Sequence, residues 1–177
     1  MACQCSECAE HGGPNPTIMK ARLGIFGLQF LVAFVGLIKE RSWGALAAMI
    51  AAFSFFATVP RTLICCRCEG YGGKCYSLYL GKITSMYLPK IEDKEVSMFG
   101  AGLEAITLGI IVNAPAIGLR KNKKYLIPYL LLASLTFWTQ FGHACRHCAQ
   151  NATDWKQDCP SAKVARLFFG PGREVAL

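Results

Sequence analysis

The chain is 177 residues long, 53% hydrophobic and only 17% charged, which gives room for one domain and is too apolar for an ordinary soluble fold. Its formal net charge of +8 would suggest nucleic acid if the cations lined a soluble surface. Instead they flank apolar blocks, where lysine and arginine meet lipid headgroups, so a nucleic-acid partner is excluded and a bilayer is implied.

Residues 1–17 form an amino tail carrying Cys3, Cys5 and Cys8. No cleavable signal peptide is visible: the first apolar block starts late and runs into Lys39-Glu40-Arg41 rather than a small-residue cleavage site. The amino terminus is therefore expected to be retained. The first block covers about 18–38, with Lys20 and Arg22 expected to snorkel from its start. A six-residue break from Lys39 to Gly44 leads into a second block over 45–64, near whose end Arg61 is also expected to snorkel. Each block can cross about 30 Å of hydrocarbon at about 1.5 Å per helical residue.

A cysteine-rich central segment follows over 65–95, holding Cys65, Cys66, Cys68 and Cys75. Gly70, Gly72 and Gly73 lie between its cysteine pair and Cys75, and glycine permits the positive backbone dihedrals of a tight loop. Arg67 and Lys74 would offset thiolate charge. From Tyr76 to Pro89 the segment is rich in Tyr, Leu and Ile, consistent with a short amphipathic helix on the membrane surface.

The third block runs over 96–119 and the fourth over 125–141, joined by the basic turn Arg120 to Lys124. Glu104 is the one acidic residue well inside a block, so it should face the bundle interior. It reads either as a proton or cation relay, or as a carboxyl bonded to Gln29, Thr107 or Thr139. Ala101, Ala105 and Gly109 form a small-residue stripe that would admit a neighbouring helix. The carboxyl tail, 142–177, carries His143, Cys145, His147, Cys148 and Cys159.

The expected fold is thus a four-helix transmembrane bundle of two antiparallel hairpins. Four crossings put the amino tail, the central segment and the carboxyl tail on one side, and those three segments hold all ten cysteines. Each contains one C-x-x-C pair: Cys5/Cys8, Cys65/Cys68 and Cys145/Cys148. That spacing lets two thiolates converge on one ion, and two such pairs build a tetrahedral zinc site. Cys159-Pro160 resembles the step that ends some iron–sulfur ligand runs, so zinc and an iron–sulfur cluster both stand as cofactors. His143 and His147 are reserve ligands. Structural disulfides and a working thiol–disulfide pair are the competing readings.

The two short turns hold six of the nineteen Lys and Arg, and the thiol-rich side holds the rest, so charge alone does not set the sidedness. Reduced thiols favour a cytoplasmic cysteine-rich face. Asn151-Ala152-Thr153 matches a glycosylation acceptor, which matters only for an external face.

The length, the four spans and a C-x-x-C beside the fourth helix resemble the vitamin K epoxide reductase family of quinone-linked thiol oxidoreductases. That resemblance implies Cys145 and Cys148 as the redox pair and Cys65 to Cys75 as shuttle thiols. Here the pair follows the fourth span, and the first connecting loop is six residues without cysteine. No phosphate-binding glycine loop, nucleophile elbow or zinc-protease helix is present. The sequence therefore reads as a membrane subunit, with protein partners or further copies of itself, rather than a stand-alone enzyme.

Overall fold

The computed structural model describes residues 16–67, 71–72, 78, 80–92, 98–145 and 166–170. Among them every regular element is helical. Cys3, Cys5, Cys8, Cys68, Cys75, His147, Cys148, Cys159 and the Asn151 triplet lie outside the described residues.

Helix α1 spans Pro16–Lys39. It opens on a proline, whose missing N–H has no helical partner to lose at that position. Helix α2 spans Trp43–Leu63 and passes into a 3₁₀ turn at Cys65–Arg67. A short helix, α3, occupies Leu80–Thr84. Helix α4 spans Met98–Leu119, and α5 spans Lys123–Phe137 before the winding loosens into a π-helical segment, Trp138–Cys145. A single helical turn follows over 166–169.

Among the described residues three stretches are long and apolar enough to cross a membrane: Thr17–Lys39, Trp43–Arg67 and Phe99–Leu119. At 15 residues, α5 alone is about 22 Å long, shorter than the hydrocarbon core. The fourth block thus departs from expectation. Its α-winding starts earlier, because Asn122 accepts the Lys124 N–H as an N-cap, and stops at Phe137, short of residue 141.

The most extensive packing runs across the hairpins, α2 on α4 and α1 on α5. An apolar core lies toward the two turns, built from Ala33, Leu37, Leu46, Met49, Leu119 and Tyr129. A second cluster of Ala52, Phe56 and Ile111 continues it toward the other end.

The close helix approaches are not at the Ala101-Ala105-Gly109 stripe: Ala105 is exposed and a side chain at Gly109 would meet open space. They lie at Gly100, where a Cβ would sit 2.6 Å from that of Leu63, and at Gly118, where it would sit 2.7 Å from that of Ala45. Helices apolar all round carry no preferred face in sequence, which is why the stripe misdirects.

The first turn closes α1 by a Schellman motif, with Arg41 N–H to Ile38 O at 3.0 Å and Ser42 N–H to Leu37 O at 2.9 Å. Arg41 takes the left-handed position at φ 52°. Ser42 is the N-cap residue of α2 but makes no side-chain cap bond; its hydroxyl donates to Gly118 O at 3.1 Å, across to the second turn. Asn122 Nδ2 likewise donates to Glu40 Oε1 at 2.6 Å. The two turns are therefore locked to each other.

Candidate functional site at the cysteine-bearing end

At the opposite end α2 carries Pro60 in its last turn, and Ile64 closes the helix by donating its N–H to Pro60 O. The chain then tightens into the 3₁₀ turn that presents Cys65 and Cys66, both buried and neither in a disulfide.

Arg61, one helical turn before Cys65, organises this region. Its Nη1 donates to Cys65 Sγ at 3.2 Å and its Nη2 to Glu104 Oε1 on α4. The guanidinium carbon stands 4.2 Å from the centroid of the Phe56 ring, a cation–π contact strengthened by exclusion of water. Arg61 is only 2% exposed, so the expected snorkelling is corrected: the carboxylate across the helix interface offers a charge partner that headgroups would otherwise supply. The expected partners of Glu104 are corrected too. Thr107 donates to its own helix at Leu103 O, Gln29 accepts from Thr136 at 2.8 Å, and Thr139 donates to Thr136 O.

Arg22 is also buried rather than snorkelling. It donates to Gln140 Oε1 on the π-helical segment and to Met19 Sδ at 3.3 Å. Each of the two main helix pairings is thus bridged by one buried arginine near the cysteine-bearing end. The sequence reading missed both bridges, although charges of opposite sign, two residues from the end of α2 and six from the start of α4, were a readable hint.

The central segment folds back on this end. Ile91 N–H donates to Cys66 O at 2.9 Å, Tyr71 Oη to Leu88 O at 2.5 Å, and Gly72 N–H to Gly81 O at 3.1 Å. Gly72 adopts φ 78°, the positive dihedral anticipated for this glycine-rich stretch. The carboxyl segment also returns: Phe169 covers Gly142, where a Cβ would come within 3.1 Å of the ring, and Phe168 meets Phe137 edge-on at 5.9 Å.

Cys65 and Glu104 are therefore brought together at one end through Arg61, and Cys66 follows Cys65 in the same 3₁₀ turn. His143 and Cys145 lie on the π-helical backbone beyond Gln140, toward the same end. Among the described residues no three His, Cys, Asp or Glu side chains are grouped to hold a metal ion. Cys65 and Cys66 are two sulfurs on adjacent residues, and the guanidinium hydrogen bond to Cys65 suits a charged thiolate ligand. Comparisons with protein-family models, with characterised proteins and with solved structures find no match for this chain.

Proposed function

We propose that this chain is a four-span membrane protein whose cysteine-bearing segments form a metal-holding cap at one end, acting as a subunit of a larger membrane assembly. The fourth crossing is α5 together with its π-helical continuation, a continuous helix over Lys123–Cys145. The carrying observation is the buried thiol pair Cys65/Cys66 at the end of α2, with Cys145 ending the fourth helix toward the same side and no cysteine between 76 and 144. Cys68, Cys145 and Cys148 complete the favoured ligand set, as zinc or iron–sulfur ligands, with the remaining cysteines, His143 and His147 in reserve. Metal bound there would tie distant segments together and contribute folding free energy directly. The cap faces the cytoplasm, where thiols stay reduced.

Elemental analysis of the detergent-purified protein, prepared under reducing and chelator-free conditions, tests this reading. At least one equivalent of zinc or iron per chain is expected, falling in both Cys65→Ser and Cys145→Ser with a matching drop in thermal stability. Metal-free protein from such a preparation would overturn it.

The Arg61–Cys65 hydrogen bond favours a second reading, thiol–disulfide exchange, because a neighbouring guanidinium stabilises a thiolate nucleophile. In that case Cys65→Ser and Cys145→Ser each abolish exchange with a dithiol substrate while thermal stability is unchanged.

A further inference from the structure

The stretch Leu80–Leu88, between the second and third spanning helices, is not built like an aqueous loop. Beyond α3 its winding continues, with Ser85 N–H bonded to Gly81 O, Met86 N–H to Ile83 O, and Leu88 N–H to Thr84 O. The Ser85 hydroxyl donates to Lys82 O. The N–H groups of Ser85, Met86, Tyr87 and Leu88 thus all find partners within the stretch, as a lipid environment favours.

Its inner face carries Gly81 and Thr84, both buried, and Leu80 packs against the Ala52, Phe56 and Ile111 cluster of the spanning helices. Tyr87 Oη donates to Ala57 O on α2 at 2.7 Å. Ala57 lies six residues before the end of α2, about 9 Å along the helix axis. The outer face presents Ile83, Tyr87 and Met86, the last 80% exposed. An apolar face laid against the flank of a spanning helix continues that helix's own lipid-facing surface, and Lys82 is exposed beside it to reach the headgroups.

We propose that Leu80–Leu88 is a membrane-inserted arm whose Ile83, Met86 and Tyr87 side chains contact acyl chains at the cysteine-bearing end. The arm packs against the Cys65–Arg67 turn, so it closes the base of the cap from the lipid side. This assignment rests on the membrane-spanning reading of α2 and α4 and is independent of metal.

The test places a benzophenone amino acid at position 86 of the full chain in phosphatidylcholine nanodiscs, with positions 106 and 121 as references. Ile106 is an exposed residue of α4 and Lys121 lies in the basic turn. Intact protein–lipid adducts are expected at 86 with a yield matching that at 106 and well above that at 121. Adducts at 106 without adducts at 86 would overturn the arm, whereas their loss at both positions would overturn the spanning reading itself. As a second probe, Met86→Trp is expected to gain an emission component quenched by bromine-labelled acyl chains; quenching of that added component by aqueous iodide instead would overturn the proposal.

Discussion

At the turn-bearing end, adjacent helices are held by hydrogen bonds between the turns and by close approach: Ser42 to Gly118, Asn122 to Glu40, and the apolar cluster around Leu37 and Leu119. At the cysteine-bearing end the same helices are held by buried guanidinium groups, Arg61 to Glu104 and Arg22 to Gln140. The first end is specified by shape. Lys39, Arg41, Arg120, Lys121, Lys123 and Lys124 all remain exposed there, and a shallow groove of about 420 Å³ beside Ser42 and Gly118 is open to Arg120 and Lys121. At the second end charge has been drawn inside, where geometry and partner must both be right. One molecule thus shows the two ways apolar helices gain a unique register: a steric lock tolerant of solvent, and an electrostatic lock that requires its absence.

The contrast breaks most sharply at Arg61. Arg61→Met should destabilise the folded protein by about 3 kcal/mol, because a half-buried carboxylate loses its counter-charge. Reversible unfolding in mixed micelles measures this, and Arg61→Met combined with Glu104→Leu should recover most of the loss. A variant pair whose effects simply add would mean that the two residues do not act together.

Gly118→Ala attacks the other end by overpacking against Ala45 and Leu37, with an expected cost of about 1–3 kcal/mol. Elemental analysis of the same variant should show no change in metal content. Asn122→Ala removes both a helix cap and the bond to Glu40, for about 1 kcal/mol. The smallest effect has the opposite sign. Arg41 occupies a left-handed position that glycine holds without steric penalty, so Arg41→Gly should stabilise by about 0.5–1 kcal/mol. A loss in its place would show that the Arg41 charge contributes more than its backbone strain costs.

Three of the four apolar blocks and both turns were legible because hydrocarbon thickness sets a minimum apolar run, and Lys39–Gly44 and Arg120–Lys124 interrupt it. The orientation of each helix was not. Ala101, Ala105 and Gly109 share a face by spacing, but spacing does not say which neighbour meets that face, and Gly100 and Gly118 took the contact. Arg61 read as an interfacial cation because a lone arginine near a helix end ordinarily is one. Its burial depends on Glu104, 43 residues away, and on which helix packs beside α2. Of the cysteine constellation, the spacing alone was readable in advance; the structure describes Cys65 and Cys66 and the guanidinium that joins Cys65 to Glu104.

That 43-residue separation has a consequence in time. During synthesis at roughly 5–20 residues per second, α2 emerges roughly 2–9 s before the residue that neutralises its arginine. Until then Arg61, two residues from the end of its helix, can hold its charge among headgroups by extending its side chain. The buried position of Arg61 is thus available only after α4 has been made and supplies Glu104 beside α2.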